Sequence, residues 1–494
     1  MSSRLENISE QRLEKLSKLR EAGIEPYPNS YARSHTAAGA VALLENQVAD
    51  SGEELPSVSL AGRLVALRNM GKSAFADLRD ASGKIQLFFR NTPGYNEKQT
   101  LVFGNLDIGD FLGASGHLMR TRSGEVTLQV QEFTLLAKSL QPLPEKWHGL
   151  TDVDKRFRQR YLDLIANDVT RQVFQTRSRV IAAMRRYLDG QGFIEVETPV
   201  LQPAAGGALA RPFVTHHHAL GQDFFMRIAL ELHLKRLIVG GLDRVYELGR
   251  VFRNEGVSTR HNPEFTMMES YQAYADYNEV MSMTENMLAA ICREVLVTTE
   301  FEYAGHTIDI APPWNRLSLR EAVLEFSGID FVKASDAGSL AAAMRKRKIE
   351  ADPNKSWAKL LDHVISEYVE PNLIQPTFLV DYPVAMSPLA KTKPGDEGMV
   401  ERFEGFIGGM EIANAFSELN NPEQQRQRFE EQLAMRGADD GESWTIDEDY
   451  LQALEYGMPP TGGLGIGIDR LVMLLTGQPS IREVILFPQL KDKP

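Results

Sequence analysis

Cysteine is almost missing from this sequence: Cys292 stands alone among 494 residues. A single thiol excludes an internal disulfide framework and fits a reducing compartment. Long apolar runs are missing as well. None approaches the roughly 20 residues that a membrane span needs, and residues 1–16 hold no apolar core of a secretion signal. The expected location is therefore cytoplasmic, with no membrane partner. A surplus of positive charge is also absent, since the formal net charge is -13. That argues against indiscriminate nucleic-acid binding, which rests on phosphate neutralisation, but leaves room for a specific RNA met by a local basic surface. Excess carboxylate also suits a protein that must hold a cation. No Cys-x-x-Cys or His-Glu-x-x-His accompanies His216-His217-His218, so this segment reads as solvent-facing or as the rim of a site rather than as a zinc site.

What is present is ordinary for a globular chain, with 43% hydrophobic and 24% charged residues, and the length implies two or three domains. Residues 7–22 predict a helix, with Asn7 as cap, Leu13, Leu16 and Leu19 on one side, and Gly23 as stop. Arg4, Arg12, Lys15, Lys18 and Arg20 make it basic, either as a solvated face or as an RNA contact. A polar connector is expected to run to about Pro56. From Val58 to Lys138 short strands dominate: Val126, Leu128 and Val130 alternate with polar residues, as do Ile85 and Leu87 around Gln86. Turns at Ala81-Ser82-Gly83 and Ser123-Gly124 complete the pattern of a small barrel, plausible as an OB-fold. The expected divisions are 1–57, 58–140 and 151–494.

Beyond residue 151 the fold class expected is α+β, an antiparallel sheet flanked by helices, because strands often follow one another instead of alternating with helices. Residues 171–190 predict a helix carrying Val173, Ile181, Met184 and Leu188, and Ser318 with Glu321 opens another. Strands are expected at 245–252, 265–272, 402–407 and 410–417.

Three segments carry chemistry. Arg253 through Phe265 predicts a hairpin loop presenting Arg253, Glu255, Arg260, His261 and an aromatic. An arginine fork suits a phosphate and an aromatic face suits a purine, though a charged hairpin with internal salt bridges fits the local residues equally. Gly462 through Gly467, before the apolar run after Arg470, reads as a glycine-rich turn opening a helix. Its spacing matches neither a Rossmann fingerprint nor a P-loop. In Glu404 through Glu418, Gly408-Gly409 should turn one strand back on another and bring Glu404 near Glu411, a carboxylate pair suited to Mg²⁺ or simply exposed at strand ends. Alternation sets Asn414 and Glu418 on one face and Glu411 on the other, so convergence on one ligand requires a bulge or twist between Glu411 and Asn414. The basic run Arg345-Lys346-Arg347-Lys348 reads as a solvated helix face or a contact for an RNA acceptor stem.

Together these segments resemble the signature motifs of the class II aminoacyl-tRNA synthetases. Gly192 through Pro199 is similar to motif 1, Phe252 through Phe265 to motif 2, and Gly465 through Arg470 to motif 3. Gly206 through Phe213 and Thr259 through Thr266 resemble the lysyl members in particular. The resemblance implies an N-terminal OB-fold anticodon-binding domain before the catalytic domain, and a homodimer joined through motif 1. It implies activation of lysine with ATP and Mg²⁺, followed by transfer to the 3′ end of a lysine tRNA. By the same resemblance, Arg253 and Arg470 are the catalytic residues. Glu255, His261, Asn262 and Phe265 join them and Glu404 and Glu411 in holding ATP, the last two through the metal. Gly207, Glu231, Glu269, Tyr271, Asn414 and Glu418, with Arg253, form the lysine pocket, and a buried ammonium does need such carboxylates. Arg68, Phe75, Gln86 and Glu125 are the implied anticodon readers. Two positions depart from the family pattern: Leu230, where proline is common, and His218, where asparagine is expected. The rival readings are an aspartyl or asparaginyl ligase, a protein-lysylating relative and a non-catalytic RNA-binding module.

Overall fold

The computed structural model describes residues 2–47, 57–71, 73–90, 95–144, 149–204, 206–207, 210–436 and 446–491. Ala208, Leu209 and the end of the expected connector, residues 48–56, lie outside them. The chain divides into two compact units, Met1–Thr151 and Asp152–Pro494.

The first unit opens with helix α1 (Ser2–Glu21). It starts earlier than the Asn7 cap predicts, because no glycine or proline interrupts residues 2–6 and Asn7 lies in the helix interior. Gly23 ends it in the left-handed region at φ +66°, with Ile24 N–H donating back to Leu19 O. Leu16 and Leu19 are buried, whereas Leu13 is 48% exposed. The expected connector contains a second helix, α2 (Ala37–Gln47), whose Ala- and Leu-rich sequence outweighs its polar flanks.

Five strands follow: β1 (Val58–Asn69), β2 (Ser73–Arg79), β3 (Lys84–Arg90), β4 (Phe111–Arg120) and β5 (Val126–Ala137). They close into a barrel in the order β1-β2-β3-β5-β4, five strands as in an OB-fold. The expected alternation fails at Gln86 and Thr127, which are buried although polar. The reason is mutual satisfaction: Thr127 Oγ1 donates to Gln86 Oε1 at 2.9 Å.

In the second unit the main sheet contains β6 (Ile194–Glu195), β7 (Arg244–Phe252), β8 (Glu264–Ala273), β9 (Asn315–Ser318), β10 (Thr377–Pro383), β11 (Asp396–Ile407), β12 (Met410–Ser417) and β13 (Thr461–Gly467). The order is β9-β10-β11-β12-β13-β8-β7-β6, with a short ninth strand beside β11. Neighbours are antiparallel except the end pairs β9/β10 and β6/β7. This is the expected α+β architecture. The predicted glycine-rich turn at 462–467 is instead the extended strand β13. It lies between β12 and β8, where neighbouring side chains leave no room for a Cβ at Gly462 or Gly463.

One face of this sheet is core. Met268, Ala413, Ala415, Leu464 and Ile466 pack with Val180, Met184 and Leu188 of helix α3 (Asp168–Gly190) and with Met281, Leu288 and Ile291 of a later helix (Tyr277–Leu296). Each buried Val, Leu, Ile or Met among them contributes about 1.5–3 kcal/mol. Alternation then turns Glu269, Tyr271, Gly463, Gly465 and Asn414 to the other face, where the site lies. Among the described residues no helix is long and apolar enough to cross a membrane.

Candidate active site

The free face of the sheet floors a cavity of about 920 Å³. All fourteen residues expected to bind ATP, lysine or metal line it: Gly207, Glu231, Arg253, Glu255, His261, Asn262, Phe265, Glu269, Tyr271, Glu404, Glu411, Asn414, Glu418 and Arg470.

At one end is the hairpin between β7 and β8. Arg253 N–H donates to Pro263 O at 2.8 Å, which pins the loop just beyond the paired strands. The Arg253 guanidinium lies 5.2 Å from the Phe265 ring centroid, and its Nε donates to Ile228 O. Burial lowers its pKa against the pull of Glu255 and Glu411. Arg470 donates through Nη1 to the Glu411 carbonyl at 2.8 Å and to Glu411 Oε2 at 3.1 Å. Its Nη2 reaches His261 Nε2 at 3.3 Å. Burial and then Arg470 lower the His261 pKa, so the ring is neutral, with Nε2 accepting and Nδ1 facing Ser258 Oγ at 3.0 Å. Asn262 is buried, and its Oδ1 has no hydrogen-bond partner among the described residues.

The two carboxylates expected to hold a metal share one wall but are not a cross-strand pair. Gly408-Gly409 forms the expected two-residue turn, both glycines at positive φ. Glu404 stands opposite Asn414, however, and Glu411 opposite Phe406. The register slips between these pairs and leaves Ile412 as the extra residue. This is the bulge that alternation required, and it sets Glu411 and Asn414 on one side. Glu404 accepts from Arg402 Nη2 at 2.5 Å and from the Tyr382 hydroxyl at 2.7 Å. Burial, opposed by Arg402 and reinforced by Glu411 and Glu370, pushes its carboxyl up to about 7. Burial and then Glu411 raise the pKa of Glu370 also. Like charges crowded on a desolvated wall, with all-oxygen donors, fit a hard cation. Among the described residues no three side chains of His, Cys, Asp or Glu converge as a metal group. Two carboxylates supply part of a coordination shell, and a ligand's phosphates commonly complete one of this kind. His216 and His217 lie on a small separate sheet and His218 in the turn that follows, all three exposed, with His216 beside Asp223 at 2.6 Å.

The opposite end is a carboxylate pocket. Glu231 opens helix α4 (Glu231–Val239), Glu269 and Tyr271 stand on β8, and Glu418 follows β12. Glu269 accepts from Leu230 N–H at 3.0 Å and from the Tyr271 hydroxyl at 3.1 Å. Proline at 230 could not make the first of these bonds, so the departure at Leu230 adds a donor to the pocket. Burial, and then Glu231, push Glu269 up to about 7. Glu418 is 1% exposed, and its Oε1 has no hydrogen-bond partner among the described residues. The position of Glu418 depends on Gly463, where a Cβ would fall 1.9 Å from that oxygen.

In the barrel, the four expected reader positions meet on one surface. Arg68 faces Phe75 across β1 and β2. Gln86 Nε2 donates to Glu125 Oε2 at 2.9 Å, and Phe75 lies 4.9 Å from Phe88 between ring centroids. Arg68 pairs with Asp77 at 3.1 Å. On α1, Arg12 is spent within the unit, donating to Ser139 O, Gln141 O and Ile108 O, and Lys15 pairs with Asp107. Lys18 and Arg20 remain exposed.

A family model described as tRNA synthetases class II (D, K and N) matches residues 152–491, and one described as an OB-fold nucleic acid binding domain matches residues 58–136. The chain belongs to the class II tRNA synthetases. This synthetase is 59% identical over 489 residues to a lysine–tRNA ligase of Dehalococcoides mccartyi, covering 99% of this chain and 98% of that relative. Lysine–tRNA ligases of Moorella thermoacetica and Chloroflexus aurantiacus are 55% and 52% identical over 485 and 490 residues. Those alignments cover 98% and 99% of this synthetase, and 97% and 99% of the relatives.

Sequence reasoning missed several residues that shape the synthetase site. Arg402 and Tyr382 hold Glu404, and Glu370 and Asp362 add negative charge to the same wall. A π-helical turn, Ile365–Val369, brings Ser366 and Glu370 to the cavity. Lys235 is buried between Glu231 and Glu418. Only the last had a local signal, the i,i+4 spacing of Glu231 and Lys235 on a helix.

Proposed function

We propose that this chain is a lysine–tRNA ligase, which activates L-lysine with ATP to lysyl-adenylate and pyrophosphate and then transfers lysine to the 3′ end of its tRNA. The observation that carries this reading is Glu418: a carboxylate buried at the cavity wall with a bare oxygen, next to Glu269 and the Tyr271 hydroxyl. Lys235 takes the other oxygen, but one buried ammonium does not balance Glu231, Glu269 and Glu418 together, and the ε-ammonium of lysine supplies a further cation. A carboxylate side chain, as on aspartate, would meet repulsion there.

In the proposed reaction no side chain is a nucleophile. The lysine carboxylate, held by Arg253, attacks the α-phosphorus in line and pyrophosphate leaves; the terminal tRNA ribose hydroxyl then attacks the adenylate carbonyl and AMP leaves. Arg253 stabilises charge growing on the phosphoryl oxygens, so rate comes from positioning and electrostatics. Phe265 and Arg470 would flank the purine and the phosphate tail, and Asn262 Oδ1 offers an acceptor to the ligand. Glu404 and Glu411 would hold Mg²⁺, which when bound neutralises phosphate charge.

ATP–pyrophosphate exchange, run with each common amino acid and without tRNA, tests the reading. Lysine alone should drive it. Exchange with aspartate or asparagine in its place would overturn the substrate, and no exchange with any would overturn the enzyme.

A pH dependence follows from Glu269. Below about pH 7 its carboxyl carries a proton in the free protein, and an arriving ammonium must displace it. The KM for lysine is therefore expected to rise as pH falls, approaching about tenfold per unit well below 7, while the KM for ATP changes less. A lysine KM flat between about pH 6 and 8 would contradict this.

On the barrel, Phe75 would stack on a splayed anticodon base, with Arg68, Gln86 and Glu125 reading its edges. A cytoplasmic homodimer completes the proposal. Its contact would include the edge strand β6 and the exposed apolar side chains of Ile194, Val200 and Leu201.

A further inference from the structure

Lys235 has no part in the reaction above, yet its side chain is fully buried. On α4, one turn after Glu231, Lys235 Nζ donates to Glu231 Oε1 at 2.5 Å and pairs with Glu418 Oε2. It lies 5.6 Å from the Phe416 ring centroid and 6.0 Å from that of Tyr450. Glu231, Glu418 and Phe416 line the cavity, whereas Lys235 and Tyr450 do not. The ammonium thus stands behind the wall, and the two carboxylates separate it from the ligand space.

An isolated ammonium in such a place costs several kcal/mol, so Lys235 is tolerated only because of its partners. Burial alone would drive it towards the neutral amine; Glu231 and then Glu418 outweigh burial and hold it protonated. Burial also pushes the Glu418 carboxyl up, against Lys235. We place the proton on the amine, because Nζ contacts two carboxylates at once and protonating one leaves the other.

The charge balance gives this cation a purpose. In the lysine-loaded site, with all three ionised, Glu231, Glu269 and Glu418 bring three negative charges, and Lys235 returns one positive. Free lysine carries two ammonium groups and one carboxylate, and Arg253 answers the carboxylate. The two negative charges left over then match the two ammonium groups. Without Lys235 a third carboxylate charge would have no partner in the loaded site, and Glu418 would lose the contact that fixes its Oε2 and aims its Oε1.

We propose, on the reading of this cavity as a lysine site, that Lys235 is a positioning and specificity-determining residue: a built-in counter-charge that orients Glu231 and Glu418 and tunes the pocket to an amino acid with a second ammonium group. The groups facing Lys235 are Glu231 on its own helix, Glu418 after β12 and Tyr450 from the helix Glu448–Glu455. Glu269 and Tyr271 stand beyond Glu418, and Arg236 lies 5.7 Å from the Tyr450 ring.

The test compares the full-length enzyme with Lys235→Met, which keeps the length and removes the charge. In pyrophosphate exchange the variant should raise the KM for lysine at least about 30-fold and leave the KM for ATP within about twofold. A pocket short of one positive charge takes up a proton at rest, so calorimetry in two buffers should find about one more proton released per lysine bound than in wild type. A purely structural role would not move that count. Unchanged lysine KM and proton count, or lysine and ATP KM rising together with no additional proton, would overturn the proposal. If Lys235→Met does not fold, Lys235→Arg keeps the charge and should keep the wild-type proton count even where its bulk raises KM; an additional proton there would also overturn it. Wild-type enzyme that fails to exchange with lysine would sink the function itself, a separate outcome from any of these.

Discussion

Arg253→Ala is expected to lower lysine-dependent ATP–pyrophosphate exchange by about 10³-fold or more, the loss of roughly 4 kcal/mol of transition-state stabilisation. Its half-buried guanidinium lies in the cavity among Glu255, Glu411 and Glu269, between the hairpin end and the carboxylate pocket. A charge held there answers both the lysine carboxylate and the α-phosphate, whose mutual repulsion is otherwise the barrier to bringing them together. The fold should survive the change. What pins the hairpin is the backbone bond from Arg253 N–H to Pro263 O, which alanine keeps. The side chain's hydrogen bond to the protein at Ile228 O is long, at 3.3 Å. The melting temperature should therefore stay within a few degrees of wild type. Near-normal exchange by a folded Arg253→Ala protein would remove Arg253 from the chemistry.

Most of this site was legible through the resemblance to the class II synthetases, which names its residues; strand alternation added that Asn414 and Glu418 share a face. The hairpin of β11 and β12 could be read from Gly408-Gly409 alone. The conflict between alternation and a shared ligand at Glu411 and Asn414 called for a bulge or a twist, and a bulge is found at Ile412. The failures share one physical cause: local sequence reports which residues are polar, not which distant group satisfies them. Gln86 and Thr127 look like the outward half of a strand until their mutual hydrogen bond is seen. Lys235 drew no reading from the sequence, and only the return of the chain at Glu418 shows its ammonium enclosed. The glycines before Arg470 read as a turn because glycine is so often chosen for positive φ, yet β13 is extended and uses glycine for want of space. Glu404 and Glu411 were readable as a carboxylate pair. Arg402 and Tyr382, which hold Glu404, were not, and Arg470 was legible as an ATP residue but not as the partner of Glu411, since each comes from its own place in the fold.

The space at Gly463 makes a second large effect calculable. Gly463→Ala should lower kcat/KM for lysine at least about 100-fold, with the KM for ATP within about twofold. The backbone poses no obstacle, because Gly463 is an ordinary strand residue paired with Tyr271 and Phe416. The methyl group is the obstacle: it would lie 1.9 Å from Glu418 Oε1 and 2.7 Å from Tyr271 Cε1. A free glutamate tip would swing aside at little cost. This one is tied through its other oxygen to Lys235, and Tyr271 is held by its hydroxyl on Glu269. Either the carboxylate leaves the position in which it meets the substrate ammonium, or the pair with Lys235 breaks inside a dry pocket, and both outcomes fall on lysine rather than on ATP. Overpacking of this kind costs about 1–3 kcal/mol of stability, which the catalytic unit should tolerate. A folded Gly463→Ala enzyme with lysine kcat/KM within about threefold of wild type would mean that Glu418 does not meet the side chain of lysine.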